Sequence, residues 1–347
     1  MGASTSEAMR QYAPSFWLPL SHSEAMTSHP EISLEALCDI DGQLLARAQA
    51  HYGVNRGYRE YGKLIDEISP DVLGVATRTP DRPAIVEHAL ANGVRALHLE
   101  KPLCNGVAQL TKLERLFVAR DIACTYGTLR RYFPVYQRAR QLARSGRFGT
   151  LRQIQVCFGP AALLWTHPHS LDMLLFMAGD ADVERVSARF SDGFAIEGLR
   201  LDGDPIVRSI LLEFANGTTG LISQCGGFDV ILSCSEGTIT VESDGHRTRL
   251  RYGDGQDTYW QVTDLDHGQE GEGQQQAGGT RLALDRLVCA LRGENAAQVA
   301  ADKQAIVKGQ RLLFACAQSH LAGGTAIDPR QLEPDLWITG RTGSRYA

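Results

Sequence analysis

Apolar and polar positions change their rhythm near residue 127. Before it, short apolar runs alternate with stretches of helical spacing. ISLEALCDI (32–40) predicts a strand, and GQLLARAQAHYG (42–53) a helix ended by Gly53. DVLGVATRTP (71–80) predicts a second, buried strand. RPAIVEHALANG (82–93) predicts a helix with Pro83 in its first turn and Gly93 past its end. VRALHLE (94–100) is a third strand, a helix follows over roughly 107–120, and IACTYG (122–127) is a further strand. Strands that alternate with helices in this way predict a doubly wound parallel sheet.

After Gly127 a helix is expected to leave the sheet and stop at Gly146. LRQIQVCF (151–158) then places Ile154, Val156 and Phe158 at every second position, the period of a half-buried strand. IVRSILLEF (206–214) repeats the pattern ahead of the turn pair Asn216–Gly217, and Asp244–Gly245 marks another hairpin. These strands predict an open, largely antiparallel sheet with one free face, closed by two helices at 280–293 and 302–324. HGQEGEGQQQAGG (267–279) predicts a polar, glycine-rich loop. The fold class expected is therefore α/β with two domains, 1–126 and 127–347, the second being α+β.

Composition narrows the function classes. Net charge is -5 with a pI near 6.1, so no basic field invites nucleic acid. No apolar run reaches the ~20 residues of a membrane span, and no signal-peptide pattern opens the chain, so a cytoplasmic protein is expected. The eight cysteines are scattered without a C-x-x-C pair, which suits a reducing compartment and no disulfide framework. No histidine or cysteine set has recognisable metal spacing, so no metal is expected.

Four segments, in order, carry a resemblance: DVLGVATRTP, ALANGVRALHLEKPL, RRYFP…GRFGTLRQIQV and HPHSLDMLLFMAGD. On them the chain resembles the glucose-fructose oxidoreductase / inositol dehydrogenase / rhizopine-catabolism (Gfo/Idh/MocA) family from about residue 32 onward. The resemblance implies a Rossmann domain binding a nicotinamide cofactor, NAD rather than NADP, and a second domain binding a small polar substrate such as a sugar or cyclitol. It implies that Lys101 of Glu100–Lys101–Pro102 hydrogen-bonds the reacting hydroxyl and stabilises an alkoxide, with Pro102 after a cis bond. Glu100, Lys101 and Pro102, with Thr77, Thr79 and Pro80 after the second strand, would line the nicotinamide end. Asp39, ending EALCD, stands where an acid binds the adenosine ribose and repels a 2′-phosphate; turn capping ahead of Asp41–Gly42 is the plain alternative. His169 would be the acid–base partner of Lys101, and Arg131, Trp165 and His167 would meet the substrate. Arg138 and Arg140 read as a solvated helix face, and Asp172 as first-turn helix charge. A homodimer or homotetramer through the open sheet is expected.

Two departures from the family pattern stand out. The family's Asp-x-Gly-x-His becomes Trp165-x-His167-x-His169. A strand running into G-x-G-x-x-G should open the domain, yet Gly2 is followed by Ser4 and Glu7, and both Ser4-x-x-Glu7 and Ser21-x-x-Glu24 read as helix caps. The first strand is expected upstream of Met1, with its replacement by a neighbouring segment, or weakened or lost cofactor binding, as the alternatives. The alternative to a dehydrogenase is a non-catalytic ligand-binding or regulatory relative with weakened cofactor binding, since fold does not fix function.

Overall fold

The parallel half is built from very short strands. The computed structural model describes residues 17–253, 261–265 and 278–340; the expected cap at Ser4 and nearly all of the glycine-rich loop lie outside them. Helix α1 (His22–Thr27) comes first, then β1 (Ala36–Cys38), α2 (Gly42–Tyr52), β2 (Arg56–Tyr58) and α3 (Tyr61–Ile68). There follow β3 (Val72–Val75), α4 (Arg82–Ala91), β4 (Ala96–Leu99), α5 (Val107–Ala119) and β5 (Ala123–Tyr126). Helices α2 and α4 start and stop where the sequence predicted. Asp41 caps α2 by accepting from the Gln43 and Leu44 amides, and Gly53 ends it in the left-handed region.

The sheet is parallel, as expected, and it is split into two pieces among the described residues. β1 pairs only with β2, while β3, β4 and β5 form a separate parallel sheet, and among the described residues no strand hydrogen-bonds β1 to β3. β2 and α3 escaped the sequence reading because Arg-Gly-Tyr is too short and too polar to show a period. β1, α2 and β2 rest on their own small core of Leu37, Leu45, Ala48 and Val54. The strands β4 and β5 are buried throughout, as expected for a sheet covered on both faces.

One of those faces is covered by a chain start that the periodicity did not assign. Ser21 caps α1 through its Oγ, which accepts the Glu24 amide at 3.1 Å. Met26 and His22 press on Gly74 of β3, where an added Cβ would lie 2.9 Å from Met26 Cε. Helix α8 (Gly279–Leu291) straps this segment down: Thr280 Oγ1 donates to Leu20 O at 3.1 Å, and Arg281 Nη1 to Ser28 O at 2.8 Å.

The second half begins with a 3-10 turn (Leu129–Tyr132), α6 (Pro134–Arg144), β6 (Leu151–Cys157) and α7 (His167–Met177). Strands β7 (Val183–Phe190), β8 (Ala195–Glu197), β9 (Arg200–Asp202), β10 (Val207–Phe214), β11 (Thr219–Ile222), β12 (Asp229–Cys234), β13 (Gly237–Glu242), β14 (Arg247–Tyr252) and β15 (Gln261–Leu265) follow. The chain continues through α8 to α9 (Ala296–Leu321) and β16 (Trp337–Ile338). Eight strands form one sheet in the order β15-β14-β13-β12-β6-β11-β10-β7, antiparallel except for β6 beside β11. Burial alternates along β10 and β12, and the inward face packs on α6, α7 and α9. One apolar core runs from Leu97 and Leu99 in β4 to Ile154 in β6 and Leu312 in α9.

Candidate active site

The tip of β4 carries Glu100–Lys101–Pro102, and the Lys101–Pro102 bond is cis. The loop that follows is held by side chains from remote elements. Arg82, buried at the start of α4, donates to Pro102 O and to Thr77 O, tying this loop to the one after β3. Gln310 of α9 accepts the Leu103 amide at 2.8 Å and donates to Cys104 O at 3.1 Å. Asn105 Nδ2 donates to Ile338 O at 2.8 Å and Thr339 O at 3.1 Å. Neither Arg82 nor Gln310 shows a motif in the sequence, and no local signal tells a buried polar helix residue from a solvated one.

Lys101 reaches across to the second half. Its Nζ donates to Trp165 O at 2.5 Å and stands 3.8 Å from the centroid of the Trp165 ring. A cation over an indole face is attracted by the ring quadrupole, so the aromatic ring stands against the lysine at the position where the resemblance led to an aspartate being expected. Asp204 fixes that loop by accepting the Leu164 amide at 2.7 Å and the Trp165 amide at 3.0 Å. His169 lies in the first turn of α7, half-buried, with no partner for Nδ1 among the described residues. Burial holds its pKa well below the ordinary value, and the charges of Lys101 and Arg130 push the same way. His169 is therefore a neutral imidazole at physiological pH.

Glu100 is bracketed at the same tip. Its Oε2 accepts the Lys101 amide at 3.2 Å, and its Oε1 lies 3.4 Å from His22 Nε2. Burial opposes ionisation, but the neighbouring His22 imidazole and the Lys101 charge outweigh it and hold Glu100 well below the carboxylate range. In the separate β1–β2 pair, Asp39 follows β1 and its Oδ1 accepts the Asp41 amide at 2.8 Å. The turn-forming role is thus real, and it fixes a carboxylate at the strand's carboxyl end. Thr77 and Pro80 are exposed and Thr79 is half-buried in the loop after β3.

Two expected substrate residues are corrected. Arg131 is buried, and its guanidinium is shared among Asp172 at 2.7 Å, Asp180 at 3.3 Å and Asp302 at 3.5 Å. Burial works against its charge, yet Asp172 and Asp180 more than offset it and hold its pKa above the usual value. It is a joint between the linker, α7 and α9, and so Asp172 is more than first-turn charge. His167 is fully buried with Nδ1 on Ser170 Oγ at 3.0 Å, and burial pushes its pKa down to about 4. Arg140 likewise leaves the solvated face to which it was assigned, reaching Asp180 at 3.4 Å and stacking 4.5 Å from the Phe176 ring. The neighbouring Arg130 pairs with Asp244 through Nε–Oδ1 at 2.6 Å and Nη2–Oδ2 at 2.7 Å, joining the linker to the β13–β14 turn.

Among the described residues, no three His, Cys, Asp or Glu side chains converge to hold a metal ion, and no helix is long and apolar enough to cross a membrane. Residues 16–128 match a family model, GFO_IDH_MocA, described as an oxidoreductase family with an NAD-binding Rossmann fold. A D-apiose dehydrogenase of Paraburkholderia graminis is 25% identical over 58% of this chain and 56% of its own. A myo-inositol 2-dehydrogenase of Thermotoga maritima is 22% identical over 58% of this chain and 64% of its own. The matched regions thus span less than two thirds of either curated relative. Among solved structures, an inositol dehydrogenase homologue of Azotobacter vinelandii with NADH and myo-inositol has a TM-score of 0.69 at 19% identity, covering 86% of this chain and 90% of that one. A levoglucosan dehydrogenase with NADH and levoglucosan has a TM-score of 0.73 at 14% identity, covering 91% and 95%.

Proposed function

We propose, from the premise that the chain belongs to the Gfo/Idh/MocA oxidoreductase family, that it is an NAD-dependent dehydrogenase of a small polyol such as a sugar or cyclitol. The observation that carries this reading is the meeting of Lys101 with the Trp165–His169 segment across the two halves. The carboxyl ends of β1, β3 and β4 bear Asp39, Thr77 to Pro80, and Glu100 to Pro102, the order a dinucleotide laid across a parallel sheet needs. These residues would hold its ribose and nicotinamide ends, and the Asp39 carboxylate favours NAD over NADP. No glycine-rich turn for the pyrophosphate stands among the described residues.

When bound, the nicotinamide supplies the acceptor or donor for hydride. The chain's own residues manage the oxygen. Lys101 hydrogen-bonds the carbinol oxygen, and its charge stabilises the alkoxide as the O–H proton departs. His169, held neutral, is the group suited to accept that proton, and protonated it would return the proton in the reductive direction. Trp165 supplies a flat apolar wall beside Lys101 for the carbon face of the polyol. The open face of the eight-stranded sheet is the surface proposed for a homodimer or homotetramer.

Both curated relatives are named as dehydrogenases, which favours an enzyme over a non-catalytic binder. Titration with NADH and NADPH, read by nicotinamide fluorescence, should saturate and be tighter for NADH. A panel of cyclitols, pentoses and hexoses with NAD+ should then give turnover. Lys101→Ala should lower kcat by about 10²–10⁴-fold while NADH still binds. No saturable binding of either cofactor, or no turnover across the panel, would overturn the reading.

A further inference from the structure

We propose that His22 is a positioning residue for the Glu100–Lys101–Pro102 turn, supplied by the segment ahead of the parallel sheet rather than by the sheet itself. The inference deepens the dehydrogenase reading of Lys101 and rests on it.

His22 is 3% exposed, and its ring is fixed from three sides. Its Nδ1 lies against β3, 3.1 Å from where a Cβ on Gly74 would sit. Its ring centroid is 4.3 Å from that of His98 in β4, at 54°. Its Nε2 faces Glu100 Oε1 at 3.4 Å. His98 makes its own contact through Nδ1 to Thr125 Oγ1 at 2.9 Å, on the next strand. His98 and Glu100 are two residues apart at the end of β4 and so address the same face of the sheet, which is the face α1 covers. The segment carrying His22 is anchored independently of the site, by the Ser21 cap and by Thr280 and Arg281 of α8.

The consequence follows from what Glu100 would do without it. The carboxylate stands between the His22 imidazole, 3.4 Å from Oε1, and the Lys101 amide, which donates to Oε2, and it fits because Gly127 has no Cβ, which would lie 2.9 Å from Oε2. A mostly buried carboxylate that loses one partner seeks another. The flexible ammonium of Lys101, on the adjacent residue, is the cation available to it. A Lys101 drawn onto Glu100 would leave Trp165 and the substrate oxygen. His22 therefore keeps Glu100 on the backbone of the turn and off the catalytic amine.

The test separates a donor from a filler. His22→Phe keeps the ring's bulk without the N–H, whereas His22→Gln places an amide N–H where Nε2 stood. The chain has five lysines (Lys63, Lys101, Lys112, Lys303 and Lys308), so with isotope-labelled lysine the Lys101 signal is identified by its loss in Lys101→Arg. That signal is expected to move in His22→Phe and to return close to its original position in His22→Gln. A Lys101 signal unmoved by His22→Phe overturns the proposal. With NAD+ and the polyol panel, His22→Phe should lower kcat about 10- to 100-fold with KM for NAD+ nearly unchanged, and His22→Gln should recover most of the loss. Unchanged kcat in His22→Phe also overturns it. A wild-type chain that turns over nothing sinks the dehydrogenase reading, yet the lysine signal still decides the link from His22 to Lys101. Should Phe prevent folding, His22→Asn, whose amide points away from Glu100, makes the same comparison.

Discussion

The two sheets flanking the site reach order by opposite means. In the second half, eight strands share one continuous ladder, and each inner strand is held along its length by its neighbours. In the first half, strands of three or four residues fall into two pieces, and the small piece leaves Ile40 81% and Leu44 49% exposed. Few ladder bonds are available to hold the loop that carries Lys101. Its order comes from side chains instead: Arg82, Gln310, Asn105 and His22, drawn from α4, α9, the loop itself and α1. A short-stranded sheet can thus present a well-defined turn at its edge if distant elements clamp the turn directly.

If the halves are joined as described, the joint should be the most sensitive place. Arg131→Met leaves Asp172, Asp180 and Asp302 without their shared cation, and urea unfolding should show a loss of about 3–5 kcal/mol. A loss below 1 kcal/mol would mean that the halves hold together without that cluster.

Acid should find the same border. His167 has an unfolded pKa near 6.5 and a native value of about 4, so the unfolded chain binds more protons between them. Stability is then full above pH 6.5 and falls as pH drops toward 4, by on the order of 3 kcal/mol from this residue. His98 and His169, each lowered chiefly by burial, act in the same direction. Urea midpoints measured from pH 7.5 to 4.5 should fall steadily, and His167→Gln should flatten the slope; a slope unchanged by that variant would assign the acid sensitivity elsewhere.

Gln310→Leu strips the Leu103 amide and the Cys104 carbonyl of their partner, for a cost of about 2–3 kcal/mol. Hydrogen exchange should rise first at 103–106 and leave β6 and β12 protected. Equal loss in both sheets would erase the distinction drawn above. At the small end, Ile154→Val in the continuous sheet, a fully buried site, should cost only about 0.5–1.5 kcal/mol and leave NADH titrations unaltered.

Much of this was legible along the chain. The periods of β6 and β10 and the helix stops Gly53 and Gly93 follow from local chemistry that the sequence displays. Glu100, Lys101 and Pro102 drew notice because a polar triplet ends an apolar strand, and the roles proposed for them come from the family resemblance. The illegible parts were contacts between residues far apart. Nothing local tells that Arg131 faces three carboxylates while Arg130 faces one, or that His22 lies beside Glu100. Arg82 and Gln310 were invisible for the same reason, since a polar residue in a helix looks alike whether it meets water or a distant loop. The split sheet was anticipated only as a missing first strand.

The latch on the Glu100–Lys101–Pro102 turn also has an order in time. Residues 100–106 leave the ribosome early, but the Gln310 and Ile338 that fasten them come more than two hundred residues later. At about 5–20 residues per second, the lysine waits on the order of 10 s or more for its last fastener. A nascent chain therefore carries the motif long before the loop around it can be fastened, and the turn stays unlatched until the far end of the sequence has arrived.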